Sequence, residues 1–254
     1  MSDAESHAYH FERAGFCPAC ERDTVFRANG PYFRNTLRCA LCNSVPRNRA
    51  MMNALSRYYP QWRSLSIHES SPGWDIVSQR LAKECANYVA SQFARDKEPG
   101  SVVEGAKLPC KRYIVEDLEN QTFRDGQFDL VITQDVFEHI FRPDLAIQEI
   151  ARTLRPGGAT LLTVPIVMRS NPSRRRARSS DGKIVNILEP QFHGNPVSSD
   201  GSLVTVDWGY DICAYLHHHS GLSFLLLKVE DMSKGIAGDL TEVLIGTKRP
   251  IPDL

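Results

Sequence analysis

Four thiols fall in two pairs near the start of the chain, Cys17-Pro-Ala-Cys20 and Cys39-Ala-Leu-Cys42, with eighteen residues between the pairs. Two thiolates held close by a tight turn can share one metal, and two such turns complete a tetrahedron. The quartet therefore predicts zinc on Cys17, Cys20, Cys39 and Cys42. Four protein ligands leave no open position, so the ion would be structural, and in so small a module it would supply much of the folding free energy. Buried free thiols are the plain alternative; a redox pair would call for a thioredoxin-like helix after the motif, which neither pair has. The intervening TVFRANGPYFRNTLR alternates and holds Asn29-Gly30, the signal of a tight hairpin turn.

Groups able to move protons lie further along. Gln134, Asp135, Glu138 and His139 follow FDLVIT, an apolar run of strand length. Imidazole titrates near neutral pH, so His139 is a candidate general base; the plainer reading is a histidine holding a helix start. Glu189-Pro-Gln-Phe-His193-Gly-Asn195-Pro196 is a polar, turn-rich word. His193, with Asn195, is the preferred base or substrate contact, set against a glycine-proline turn that leaves His193 exposed. Trp208 and Tyr210 could wall a pocket or pack in the core.

Three basic features read more plainly. Arg169–Ser180 looks like an exposed loop, and its run Arg174–Arg178 has no interleaved aromatics of the kind a nucleic-acid platform uses. His217–His219 are consecutive, point different ways on a helix and suggest a solvated helix end. Arg47 and Arg49 would cap or solvate a helix start, or face substrate.

The elements that must position these groups fall into three zones. Residues 1–46 hold four of the seven cysteines. Residues 47–62 read as a connecting helix with Met51, Met52, Leu55 and Tyr59 close to one face and Pro60 at its end. From Ser64 onward strands and helices alternate, which predicts a βαβ sheet covered on both faces. Strands are expected at Leu65–His68, Asn87–Phe93 and Lys111–Val115, with a helix from Trp74. After FDLVIT, apolar residues from Leu145 to Leu154 recur near helical period, Pro156-Gly157-Gly158 stops that helix, and ATLLTV is the next strand.

The words FDLV, EH and LRPGG, at this spacing, resemble the second half of class I S-adenosylmethionine-dependent methyltransferases, in particular the type 11 group. The resemblance spans roughly residues 64–248. It implies an α/β fold, with a doubly wound, mostly parallel seven-stranded sheet over residues 63–254. An acceptor-side insert is expected near 166–206, and residues 1–46 form a small zinc ribbon. It also implies S-adenosylmethionine at the C-terminal ends of the strands. The cofactor contacts would be His68, Glu69, Ser70, Ser71 and Gly73 in the first loop, Gln92 at the ribose, Asp117 and Leu118 at the adenine, and Gln134. Serines stand where the family's GxGxG has glycines, and Gln92 stands where it has an acid.

The resemblance implies O-methylation of a small-molecule or glycan hydroxyl, with His193 and His139 as catalytic candidates. RNA or protein methylation with the ribbon as a docking module is the first alternative, and nucleic acid is the less favoured partner. A non-catalytic cofactor-binding module is the second. Composition fits a soluble globular chain: 254 residues, 42% hydrophobic, 24% charged and formal net charge zero. No global field draws it to nucleic acid or membrane. The N-terminus has no signal-peptide pattern, and unpaired-looking cysteines suit a reducing compartment, so the expected location is cytoplasmic.

Overall fold

The two CxxC motifs shape the N-terminal sheet. The computed structural model describes residues 10–194 and 201–248. Strands β1 (Phe11–Cys17) and β2 (Arg22–Ala28) form an antiparallel hairpin whose turn is the first motif itself. A short helix α1 (Phe33–Thr36) follows, then β3 (Arg38–Cys39), which pairs with β2. The hairpin expected at Asn29-Gly30 is absent. A type I′ turn needs positive φ at both central residues, and neither of these has it. They lead into α1 instead.

Helix α2 (Pro46–Tyr58) begins with proline in its first turn, and the Asn48 side chain accepts from the Val45 N–H at 3.2 Å. Arg49 is fully buried on this helix, neither solvated nor facing the cleft. Its guanidinium donates to the carbonyls of Ser44, Leu37 and Gly235 and lies over the Phe26 ring.

The main sheet takes its strands in chain order as β4 (Ser66–Ser70), β5 (Asn87–Gln92), β6 (Val102–Glu104), β7 (Arg112–Val115), β8 (Phe128–Gln134) and β9 (Leu154–Thr163). Helices α3 (Ile76–Glu84) and α4 (Pro143–Thr153) lie between β4 and β5 and between β8 and β9. After β9 come short strands: β10 (Ile166–Met168), β11 (Arg174–Arg175), β12 (Ala177–Ser180), β13 (Lys183–Asn186), β14 (Phe192–His193), β15 (Ser202–Leu203) and β16 (Val206–Gly209). Helix α5 (Ile212–Ser220), β17 (Ser223–Leu227) and β18 (Val243–Thr247) finish the fold.

The sheet order is β17-β18-β9-β8-β4-β5-β7-β6. Five strands from β9 to β7 are mutually parallel, and β18 runs antiparallel between β9 and β17. The sheet has eight strands, one more than expected: β6 adds antiparallel to the outer edge at β7. Residues 93–111, rich in Gly, Pro and charge, hold no α-helix, and neither does the β7–β8 connection. The strict alternation expected from sequence fails there for want of an apolar helical stripe. Helix α4 also ends at Thr153, before Pro156, and Pro156-Gly157-Gly158 lies inside β9 opposite a register shift in β8.

Alternate residues of β8 face opposite cores, as a strand covered on both sides must. Leu130 and Ile132 join Met51, Leu55, Leu81 and the ribbon's Phe26, Leu37 and Cys39 in one core. Val131 joins Ile147, Ile150, Trp208 and Leu216 of the α4–α5 face in the other. The N-terminal ribbon therefore shares a core with the sheet.

Candidate active site and metal centre

The first loop grows from the buried end of β4. The Glu69 carboxylate accepts from Ser78 Oγ (2.7 Å), Tyr88 Oη (2.7 Å) and Gln134 Nε2 (3.2 Å). Burial pushes its pKa up to about 7, helped by the nearby Asp75 charge and opposed by these hydrogen bonds. Ser78 also accepts from the Gly73 N–H at 3.1 Å, so the loop is tied to Glu69 through one hydroxyl. Ser71 takes a left-handed conformation (φ 58°), the geometry a glycine adopts freely, and its N–H donates to the Ser91 carbonyl. Asp75 caps α3 by accepting from the N–H groups of Val77 and Ser78.

Beyond this loop lies a cleft of about 2050 Å³. That exceeds the usual 300–1,000 Å³ of a single ligand pocket and leaves room for two molecules side by side. Ser70, Ser71, Gly73, Gln92, Asp117, Leu118 and Gln134 line it. Gln92 donates its amide to the Pro72 carbonyl (2.9 Å), leaving its amide oxygen as the acceptor for a hydroxyl. Asp117 holds the Glu119 N–H on Oδ1 at 2.9 Å.

Two expected contacts lie elsewhere. His68 is fully buried, bonded to Ser91 Oγ at 2.8 Å and packed between Phe123 and Phe128. Burial lowers its pKa to about 3, and it does not line the cleft. Glu69, 1% exposed, stands behind the loop and positions it without lining the cleft. Asp75, which does line the cleft, was missed; an acid just before an apolar helix start was its signal.

Strand β8 runs on into Asp135, which also lines the cleft and is left-handed at φ 51°. Its Oδ2 meets Arg34 of α1 (3.5 Å) and Arg47 of α2 (3.2 Å), while Oδ1 accepts from Thr163 Oγ1 (3.0 Å). A 3₁₀ turn over Phe137–His139 follows. The segment after β9 folds back onto this turn. Thr205 donates its N–H to the Glu138 carbonyl and its hydroxyl to the Ile140 carbonyl, and His139 Nδ1 lies 2.9 Å from the Leu203 carbonyl. Pairing of β14 with β15 then brings His193 in.

The two catalytic candidates, from segments far apart in sequence, thus meet edge to face with ring centroids 5.1 Å apart. His139 Nε2 and His193 Nδ1 each lie 3.7 Å from Glu138 Oε1. Glu138 is 2% exposed, and burial raises its pKa, with His193 opposing. All three line the cleft. Asn195 lies outside the described residues.

Trp208 is buried core beside Tyr215, and Tyr210 donates to Glu242; neither lines the cleft. The arginine run is no solvated loop. It forms β11 and the start of β12, with Arg174 and Arg176 both 2.9 Å from Asp207 Oδ2.

The four cysteines bring their sulfurs within 4.8 Å of one another, with Cys17–Cys42 at 3.8 Å and Cys20–Cys39 at 4.0 Å. Thiolates about 2.3 Å from a tetrahedral zinc sit roughly 3.8 Å apart, so the quartet fits the ion. The two knuckles repeat one geometry. Glu21 and Asn43, each directly after a motif, are left-handed and donate their N–H to the carbonyls of Cys17 and Cys39. That fold-back turn is what a shared metal requires of both pairs.

Residues 70–162 match the family model described as a methyltransferase domain. No curated protein matches the chain in sequence. Among solved structures it is similar to an S-adenosylmethionine-dependent methyltransferase from Mesorhizobium loti, at 14% identity over 79% of this chain and 98% of that one, TM-score 0.49. It is also similar to the 1,6-didemethyltoxoflavin-N1-methyltransferase of Burkholderia thailandensis, at 13% identity over 78% of each chain, TM-score 0.49. A third is the phosphoethanolamine N-methyltransferase 2 of Haemonchus contortus, at 13% identity over 78% of this chain and 52% of that one, TM-score 0.44. Residues 70–162 of this chain thus carry a methyltransferase domain.

Proposed function

We propose that this methyltransferase acts on a hydroxyl of a small molecule or glycan, that residues 1–46 hold a structural zinc, and that the protein works in the cytoplasm. Residues 47–62 connect that ribbon to a catalytic domain over 63–254, whose insert near 166–206 covers the acceptor. The observation that carries the reading is the meeting of His139 and His193 in a cleft that the loops after β4, β5 and β7 also line.

S-adenosylmethionine, when bound, supplies a sulfonium methyl group whose carbon takes the acceptor's lone pair as the C–S electron pair returns to sulfur. Gln92 and Asp117 would hold its ribose and adenine, with the Ser70–Gly73 loop beside its amino-acid end. Leu118 would pack on the ring, and Gln134, clamped by Glu69, would fix the floor. His139 and His193 act on the acceptor: the hydroxyl gives up its proton at their cluster as its oxygen attacks, which is the work a hydroxyl acceptor demands of the protein.

The ribbon's sharing of a core with the sheet favours a structural part over a free docking module. Four arginines of the cleft, Arg34, Arg47, Arg174 and Arg176, are paired with Asp135 and Asp207, which favours a small acceptor over RNA. No helix among the described residues is long and apolar enough to cross a membrane. Incubation with methyl-labelled cofactor and a panel of glycosides, small-molecule alcohols and RNA tests the reading. Label on a hydroxyl supports it, and label on RNA alone overturns it.

A further inference from the structure

We infer that Glu138, His139 and His193 form a second metal site, for a divalent transition-metal ion of the zinc type, at the acceptor end of the cleft. Three observations converge on it. First, one ligand atom from each residue lies within 4.8 Å of the other two, although His193 comes from a segment remote from the other pair.

Second, Glu138 is 2% exposed and neither carboxylate oxygen has a hydrogen-bond partner. A buried carboxylate without donors is costly, and a bound cation removes that cost.

Third, the Leu203 carbonyl orients the His139 ring. Its Nδ1 faces the Leu203 carbonyl at 2.9 Å, and a carbonyl only accepts, so Nδ1 carries the hydrogen. In the tautomer with that single hydrogen, Nε2 is bare and lies 3.7 Å from Glu138 Oε1. Two lone-pair atoms facing each other beyond hydrogen-bond reach gain nothing from direct contact. The same spacing is close to the roughly 3.4 Å between ligands bound about 2.1 Å from a tetrahedral ion. The Leu203 carbonyl is the outer partner that commonly orients a metal-bound imidazole.

Two imidazoles and one carboxylate suit zinc, iron(II), nickel or manganese better than magnesium or calcium, which prefer all-oxygen sets. Three protein ligands leave a coordination position, and all three residues line the cleft. A hydroxyl bound there becomes more acidic. With both imidazoles on the ion, water in place of the histidines takes the proton, while the oxygen keeps the O–H pair for attack on the methyl group. The inference rests on the proposed acceptor position, not on the identity of the acceptor.

The full chain, demetallated and dialysed against zinc, is assayed for metal content by mass spectrometry beside Glu138→Gln and His193→Gln. The expected result is one ion beyond the ribbon's in the parent, lost from both variants. Cobalt(II) separates the sites: thiolate-to-metal charge-transfer bands mark the ribbon and persist in the variants, while the additional ligand-field bands disappear. His193 is partly exposed on a two-residue strand, so its variant carries the test should Glu138→Gln not fold. A parent that binds only the ribbon ion, or variants that keep the second, overturns the inference and shows the cluster to be a proton-sharing carboxylate–imidazole group. Calorimetry with S-adenosylmethionine on the same samples keeps the two readings apart. Cofactor binding without the second ion sinks only this inference, whereas the second ion without cofactor binding sinks the methyltransferase reading.

Discussion

Arg47, in the first turn of α2, places its Nε 3.2 Å from Oδ2 of Asp135, the left-handed residue just past β8. Arg34 of the ribbon reaches the same oxygen. The ribbon and α2 are thereby tied by charge to a cleft-lining residue just after β8. Asp135→Asn keeps a residue that tolerates positive φ and removes the charge. Because these side chains are partly buried, the loss should cost about 2 kcal/mol, between exposed and buried pairs. Denaturant unfolding reads the stability, and calorimetry should show weaker S-adenosylmethionine binding. An unchanged midpoint with unchanged affinity would show the pairs to be incidental.

Metal removal should unfold more than the ribbon. Cys17 and Cys39 sit in the same core as Met51, Leu55 and Leu130. Zinc in small thiolate sites contributes on the order of 10 kcal/mol to folding. A strong chelator, or Cys20→Ser, should therefore lower the melting temperature of the whole protein and abolish cofactor binding. Survival of the main transition in excess chelator would mean that the quartet packs as plain thiols.

Ser71 sits where a glycine costs least. Ser71→Gly removes left-handed strain of about 1–2 kcal/mol and returns part of it as chain entropy, for a net gain of about 0.5–1 kcal/mol. Chemical denaturation measures this directly. A destabilised variant would show that the hydroxyl, not the backbone, is what the loop requires.

Glu69 gives the apo protein a pH signature. Its pKa rises from 4.5 to about 7 on folding, so the folded state holds this proton more tightly. The associated stability is fully present below about pH 4.5 and is lost as pH rises through about 7, amounting to roughly 3 kcal/mol. Glu69→Gln keeps a neutral side chain throughout. The difference in unfolding free energy between variant and parent should therefore grow in the variant's favour from pH 4.5 to 7 and then level. A flat difference over that range would place Glu69 among ordinary ionised carboxylates.

The strand–helix–strand unit from Phe128 to Thr163 was legible because both periodicities are strong and the family words sit on it. The knuckles were legible because metal geometry dictates spacing. Residues 93–111 misled because alternation of strands and helices is a rule about covered faces, and β6 closes that edge without a helix. His68 was expected to contact the cofactor because a polar side chain at a strand end usually faces the cleft. Here Phe123 and Phe128 enclose it instead. Glu138 was visible only as part of a polar cluster; its relation to His193 depends on β14–β15 pairing, which no local pattern encodes.

If acceptor chemistry takes place at His193 and its neighbours while the cofactor is held by separate loops, one substitution should separate the two functions. Parallel calorimetry and labelled methyl transfer on the parent and His193→Ala test it most directly. The expected result is equal affinity for S-adenosylmethionine and a loss of transfer of roughly 10²–10⁴-fold. Undiminished transfer by the variant, or no cofactor binding by the zinc-loaded parent, would contradict it.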